Sequence, residues 1–200
     1  MSPEAWLPVA LILGYLLGSI PFGLLITNAA GLGDVRKIGS GSIGATNVLR
    51  TGRKGLAAAT VLLDGGKGAV AVLIGHLILP GFGGAICGVM AFIGHCYPVW
   101  LRFRGGKGVA TMFGVTLALS WMVALVFAIV WLGLLAVTRI SSLAGMSAPI
   151  AATITAYALG GVDPALPFAG MALIVLWRHR PNIARLLRGE EPRVGSSKTA

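Results

Sequence analysis

Long apolar segments restrict this chain to very few folds. There are six, namely Ala5–Asn28, Gly55–Leu79, Gly84–Leu101, Val109–Val137, Ser142–Gly160 and Ala165–Trp177. The chain is 56% hydrophobic and only 11% charged, whereas soluble domains contain about 25% charged residues. A helix needs about 20 mainly apolar residues to cross a bilayer. We therefore predict an all-α integral membrane protein.

The positions of the basic residues predict the number and direction of the spans. Val109–Val137 is long enough for two short helices, and a break near Ser120 gives seven transmembrane helices. With the N-terminus outside and the C-terminus cytoplasmic, every basic residue except Lys67 lies on the cytoplasmic side, as the positive-inside rule requires. The net charge of +10 follows from this orientation and does not indicate nucleic acid. Short interfacial helices or loops should line the cytoplasmic face.

Other features of the chain set its domain organisation. We predict one transmembrane domain over residues 1–190 and a disordered tail over 191–200. Cys87 and Cys96 lie nine residues apart in one predicted helix. They indicate neither a disulfide framework nor a metal site.

Gly39–Arg50 joins the first two spans and has the composition of an anion-binding loop. Its glycines let the backbone bend sharply and bring amides close to a ligand, and Arg50 offers a planar cation suited to phosphate. A flexible connector would have the same glycine content. The polar and glycine positions that favour binding are Ser40, Gly41, Ser42, Gly44, Thr46 and Asn47.

Two of the predicted spans contain residues that are unusual in a membrane. Pro21 should bend the first span and free a backbone carbonyl, which a nearby serine can satisfy. Asp64 and Lys67 lie three residues apart on one face of the second span. Charges inside a span mark a paired or a functional site, so these two either pair with each other or reach the loop.

Two further cytoplasmic segments have features that suit phosphate. Gly105, Gly106 and Lys107 precede the fourth helix, follow His95, and should present free amides and a cation. Anchoring by positive charge is the simpler alternative. Pro181 and Gly189 bound a short amphipathic helix, which presents His179 and Asn182 on the cytoplasmic side, although a basic lipid anchor would look similar.

The chain resembles a known family. Four motifs, spread in order over Gly18–Glu191, are GSIPFG, GSGxxGATNVLR, GHxxPVxLxFxGGKGVAT and HRxNIxRLxxG. They are similar to those of the bacterial acyl-phosphate:glycerol-3-phosphate acyltransferases, the PlsY family. The resemblance implies a multi-pass enzyme of the bacterial cytoplasmic (inner) membrane with its active site facing the cytoplasm. Where the family usually has asparagine, this chain has Ser42.

The resemblance implies residue roles, substrates and partners. Catalytic roles fall on His179, Asn182, Lys107 and Ser40. Substrate-binding roles fall on Gly41, Ser42, Gly44, Thr46, Asn47, Arg50, Lys67, His95, Gly105 and Gly106. The partners would be glycerol 3-phosphate, acyl phosphate, membrane lipid and the soluble enzyme that makes acyl phosphate, and we expect a monomer.

The implied reaction gives lysophosphatidic acid and phosphate, in the first acylation of phospholipid biosynthesis. Acyl phosphate is an activated mixed anhydride, so we expect no cofactor and no metal. The base is either His179 or the departing phosphate. We favour the phosphate, because Arg178 and Arg180 flank His179 and lower its basicity.

Two other functions remain open at this point. A transporter of phosphorylated metabolites would also place cations in loops and polar residues in spans, but here the cations lie on one face only. A structural membrane subunit would leave Asp64, Lys67 and His179 unexplained.

Overall fold

The computed structural model describes residues 3–195 of the chain, with side chains from Ala5 onward. Over that range the chain forms ten α-helices and two short 3-10 helices, Val35–Lys37 and Val99–Leu101. It divides into two compact units, Met1–Ser120 and Trp121–Ala200. The predicted all-α class is confirmed, whereas the single domain over residues 1–190 stays a prediction.

Helices α1 to α6 belong to the first unit and α7 to α10 to the second. In chain order they are α1 (Pro3–Gly18), α2 (Phe22–Ala29), α3 (Ala45–Leu49), α4 (Lys54–Ile78), α5 (Gly83–Cys96), α6 (Val109–Leu119), α7 (Trp121–Thr138), α8 (Ser141–Gly160), α9 (Val162–Arg178) and α10 (Arg180–Leu187). In the first unit α5 packs on α1 and on α4, and α4 packs on α6. In the second unit α8 packs on both α7 and α9.

Five stretches of the described residues are long and apolar enough to cross a membrane. They are Ala5–Ala29, Lys54–Ile78, Gly83–Leu101, Trp121–Thr138 and Ser141–Gly160. The other two predicted spans correspond to α6, with 11 residues, and α9, with 17. The break at Ser120 is confirmed, since α6 ends just before it and α7 begins just after it. The total of seven spans stays a prediction.

The first span is interrupted between α1 and α2, as Pro21 predicts. The carbonyl oxygen of Ser19 accepts a hydrogen bond from the Trp100 indole at 2.7 Å, and that of Ile20 accepts one from the Lys67 ammonium, also at 2.7 Å. The expected serine donor was therefore wrong. Ser19 is buried, and its hydroxyl has no partner among the described residues. Long side chains from neighbouring elements reach the freed carbonyls instead.

Glycines bring the helices of the first unit into backbone contact. A methyl group added at Gly18 would collide with the carbonyl of Ala91 across the α1–α5 contact. One added at Gly114 would collide with the carbonyl of Gly65 across the α4–α6 contact. Small residues at such positions let helices approach closely in a membrane, where packing drives their association.

A small apolar cluster supports the loop between α2 and α4. It consists of Leu24, Val35, Ile43, Val48 and Ala57, all buried. Its members come from α2, the loop and α4, so burial of their side chains ties the loop to the ends of two helices. The glycine-rich segment therefore packs on a buried apolar core.

Gly114→Ala should lower the midpoint of thermal unfolding of the detergent-solubilised protein. Overpacking of this kind costs about 1–3 kcal/mol. Gly133→Ala is the matched control, because a methyl group added there, in α7, meets open space. Alanine is the better helix former by about 1 kcal/mol, so the control should be neutral or stabilising. Equal midpoints for the two variants would contradict the close α4–α6 contact.

Candidate functional site

Asn47 organises the glycine-rich loop from its centre. Its side chain is buried, and its amide nitrogen lies 2.8 Å from the carbonyl oxygen of Val35, 3.1 Å from that of Ile38 and 2.8 Å from that of Ser42. Buried carbonyls need such donors, because an unpaired one costs roughly as much as a lost hydrogen bond. The structure thus gives Asn47 the task of shaping the loop, and a contact with substrate stays a prediction.

The oxygen of the same Asn47 side chain positions the two ends of the loop. It accepts a hydrogen bond from the backbone N–H of Ser40 at 3.1 Å and one from the guanidinium of Arg50 at 3.2 Å. Gly39 has a φ of +54°, and a side chain there would collide with both Asn47 and Arg50. The glycine therefore lets the Arg50 side chain lie against the turn.

The solvent-facing side of the loop carries the polar groups predicted to bind phosphate. Ser40, Gly41, Thr46 and Arg50 are exposed. Ser42 and Gly44 are half-buried, and the Ser42 hydroxyl accepts the backbone N–H of Gly44 at 3.2 Å. An asparagine side chain can make the same local bond to the residue two positions on. Serine at position 42 can therefore make the same local contact that an asparagine there would make.

The glycines before α6 differ from what their sequence predicts. The amide of Gly105 donates to the carbonyl of Cys96 at 3.1 Å, and the amide of Gly106 donates to that of His95 at 3.0 Å. The expectation of free amides at these two positions was therefore wrong, because the end of α5 needs donors for its last carbonyls. Gly108, with a φ of +87°, caps the start of α6, and Lys107 lies half-buried between these glycines.

Lys67 and His95 meet at one buried carboxylate. The Lys67 ammonium lies 2.7 Å from Asp64 Oδ1, and His95 Nδ1 lies 3.5 Å from the same atom. All three side chains are buried. The sequence left two roles open for Asp64 and Lys67, which could pair with each other or reach the loop. The structure shows them paired with each other. Substrate contact by Lys67 or His95 stays a prediction.

In the second unit, His179 occupies the junction between α9 and α10. Its ring is buried, and Nδ1 lies 2.8 Å from the carbonyl oxygen of Val175. A carbonyl only accepts, so Nδ1 carries a proton, and Nε2 accepts a hydrogen bond when the ring is neutral and donates one when the ring is protonated. The predicted start of the C-terminal helix is confirmed, with Pro181 in its first turn.

Glu191 holds the Asn182 side chain and was missed by the sequence analysis. Its Oε1 accepts from Asn182 Nδ2 at 2.5 Å and from the Ser142 hydroxyl at 2.7 Å, and its Oε2 accepts from Arg185 at 2.7 Å. Burial opposes ionisation, but these bonds outweigh it and hold the pKa of Glu191 below its usual value. The sequence offered one signal for this role, since Glu191 is an acidic residue at the end of a cluster of basic residues. The predicted disorder of residues 191–200 stays a prediction, and residues 196–200 lie outside those described.

The predicted site residues thus fall into three groups. The loop holds Ser40, Gly41, Ser42, Gly44, Thr46, Asn47 and Arg50. The end of α5 and the glycines before α6 hold His95, Gly105, Gly106 and Lys107, with Lys67 on the neighbouring α4. The second unit holds His179 and Asn182. Among the residues that the structure describes, no three His, Cys, Asp or Glu side chains are grouped to hold a metal ion.

Glu191→Gln should weaken the second unit, and Glu190→Gln is the matched control. Hydrogen bonds to a charged group contribute about 1.5–3 kcal/mol, whereas Glu190 only pairs with Arg188 in an exposed ion pair, which contributes little. Because its folded pKa is lowered, the Glu191 carboxylate stabilises above its ordinary value of 4.5. That contribution disappears as pH falls through the folded pKa.

Thermal unfolding in detergent as a function of pH measures this difference. The gap between wild type and Glu191→Gln should be full near pH 7 and shrink in acid. A gap that does not depend on pH, or one equally large for Glu190→Gln, would contradict the assignment.

Comparison with known proteins gives the chain clear relatives. The profile of the family described as glycerol-3-phosphate acyltransferase matches residues 8–189. A glycerol-3-phosphate acyltransferase of Novosphingobium aromaticivorans is 58% identical over 195 residues, covering 98% of each chain. The crystal structure of PlsY, an integral membrane glycerol 3-phosphate acyltransferase, in its glycerol 3-phosphate form, matches with a TM-score of 0.88 at 39% identity. It covers 94% of this chain and 96% of that one. The lysophosphatidic acid form matches with a TM-score of 0.86 at 38% identity over 94% and 95% of the two chains.

Proposed function

The chain belongs to the glycerol-3-phosphate acyltransferase family, and we propose that it transfers a fatty acyl group from acyl phosphate to glycerol 3-phosphate. The products are lysophosphatidic acid and phosphate. The observation that carries this proposal is the loop organised by Asn47, which places the Arg50 cation beside an exposed run of short polar side chains. That surface suits the phosphate of a small polar acceptor.

The chemistry requires two phosphates to be held and one hydroxyl to be aligned with a carbonyl. Arg50 and Lys107 supply the cations for phosphate. The acceptor hydroxyl attacks the acyl carbon, the bond to the donor phosphate breaks, and that phosphate leaves. Because a mixed anhydride is already activated, alignment and stabilisation of the oxyanion supply the catalysis, without nucleotide, metal or thioester.

His179 and Asn182 are the proposed active-site residues of the second unit. The bond from His179 Nδ1 to the Val175 carbonyl fixes the ring, and a fixed ring presents Nε2 in one direction. Glu191 fixes Asn182 in the same way. We favour the departing phosphate as the base, with His179 in its protonated form donating a hydrogen bond from Nε2 to a phosphate or to the oxyanion.

The proposed setting is the bacterial inner membrane, with seven spans, the N-terminus outside and the active site facing the cytoplasm. The charge distribution of the loops supports it.

Single cysteines in Gly39–Arg50, Arg102–Lys107 and Arg178–Arg188, in a background lacking Cys87 and Cys96, should react in intact cells only with membrane-permeant reagents. Reaction of any one with an impermeant reagent contradicts this orientation. We also propose that the protein acts as a monomer. It would receive acyl phosphate from the soluble enzyme that makes this donor.

Release of phosphate from synthetic palmitoyl phosphate tests the function directly. Purified protein should release phosphate only when glycerol 3-phosphate is present, with one lysophosphatidic acid formed per phosphate. Arg50→Ala should lower kcat/KM about tenfold or more, as expected for a lost charge-assisted contact. Arg53→Ala is the control for general loss of charge, because Arg53 is exposed near the end of the same loop. Phosphate release that does not depend on the acceptor, or none at all, contradicts the proposal.

Two variants at His179 distinguish the candidate bases. Loss of a general base costs about 10²–10⁴-fold in rate, so both His179→Ala and His179→Gln should be nearly inactive if the imidazole is the base. If the donor phosphate is the base, glutamine still donates a hydrogen bond at the ε position and should recover much of the activity, which is what we expect. A folded Gln variant as inactive as the Ala variant contradicts it.

A further inference from the structure

The segment that carries Lys107 is attached to the end of α5. The backbone amides of Gly105 and Gly106 donate to the carbonyls of Cys96 and His95. Lys107 follows directly, so the position of its backbone depends on where the end of α5 lies. His95 is thus bonded through its main chain to the residue next to the proposed phosphate-binding lysine.

The His95 ring makes a second contact with the same segment. A methyl group added at Gly106 would collide with its Nε2 atom, so the imidazole and the Gly106 backbone are packed against each other. On its other side, Nδ1 of the ring lies 3.5 Å from Asp64 Oδ1. The ring is 3% exposed. The ring therefore lies between a carboxylate on one side and the glycine on the other.

Asp64 is in turn fixed by two further elements of the first unit. Lys67 Nζ lies 2.7 Å from the carboxylate and 2.7 Å from the carbonyl oxygen of Ile20, at the break between α1 and α2. The Phe22 ring lies under the same ammonium, 5.7 Å from centroid to nitrogen. The carboxylate that faces His95 is thus held by the helix it belongs to and, through Lys67, by the broken first span.

We propose that Asp64 and His95 are positioning residues that hold the Gly105–Lys107 segment where Lys107 meets phosphate. The proposal rests on the phosphate-binding role given to Lys107 in the proposed function. Asp64 acts through the imidazole, the imidazole acts through Gly106, and neither needs to touch substrate. A buried ion pair adds little net stability compared with apolar residues of the same size, whereas it fixes the direction of the group that it faces.

The first experiment compares two replacements of His95 by their effect on the KM for glycerol 3-phosphate. Asparagine places its amide nitrogen at the δ position and keeps a donor toward Asp64, whereas glutamine moves the nitrogen to the ε position. His95→Gln should raise KM about tenfold with kcat less affected, since a displaced Lys107 weakens binding. His95→Asn keeps the donor toward Asp64 but is too short to reach Gly106, so it should raise KM as well. An unchanged KM for either variant would overturn the proposal.

His76 offers the matched control for this comparison. Its ring also packs against a glycine, Gly84, where an added methyl group would collide with it. His76→Asn and His76→Gln therefore make the same chemical changes at a histidine–glycine contact in the same unit, at a histidine that is exposed. Neither should change KM. If both raise it as His95→Gln does, the effect belongs to packing in general and the proposal is overturned.

A double-mutant cycle shows whether His95 acts through Lys107. Lys107→Ala should lower kcat/KM about tenfold or more, as expected for a lost charge-assisted contact. In that background His95→Gln should cost less than about twofold further, because residues that act as one unit are not additive. Additive effects overturn this inference and leave the proposed function intact. A Lys107→Ala variant with normal kinetics overturns both the role of Lys107 and the inference.

A second variant keeps the cycle usable if His95→Gln does not fold in detergent. Asp64→Glu retains the negative charge beside Lys67 but moves the carboxylate by one methylene group. It should show the same rise in KM and the same lack of additivity with Lys107→Ala. An Asp64→Glu variant with unchanged KM overturns the proposal.

Discussion

The first unit depends on the Lys67 ammonium, which is buried and must be paired. The same ammonium also satisfies a backbone carbonyl freed by the break in the first span. Lys67 lies inside a membrane-spanning helix, where an unpaired charge is costly, and the break before Pro21 frees backbone carbonyls that have no water to bind. One ammonium resolves both, since it pairs with Asp64 and donates to Ile20. The broken span, α4 and the end of α5 are therefore joined at a single point.

The loop between α2 and α4 follows the same principle on a smaller scale. One buried amide side chain, that of Asn47, serves three carbonyls on one side and a backbone amide and a guanidinium on the other. A glycine-rich segment would otherwise sample many conformations, at an entropic cost to any ordered state. Because the loop is preorganised, a phosphate bound at the proposed site would not spend binding energy on ordering it.

Local features were predictable from the sequence, and tertiary partners were not. Pro21 predicted the interruption of the first span, Ser120 marked the break between two helices, and Pro181 marked the start of α10, since each acts through its own backbone. The sequence allowed Asp64 and Lys67 to pair, because their spacing places them on one face of a helix. It equally allowed them to reach the loop instead. The bonds from Lys67 to Ile20 and from Asn182 to Glu191 depend on which elements meet in space, and spacing along the chain does not specify that.

The backbone contacts between helices have a consequence for how the first unit responds to the thickness of the bilayer. At 1.5 Å per residue, the 25 residues of α4 span about 37 Å, whereas the hydrocarbon core is about 30 Å thick. A helix longer than the core tilts or extends into the headgroups. With α5 and α6 in contact with α4 through glycines such as Gly75, Gly83 and Gly114, there are few side chains at these contacts to repack. A thinner or thicker membrane should therefore tilt the three helices together, as one rigid group.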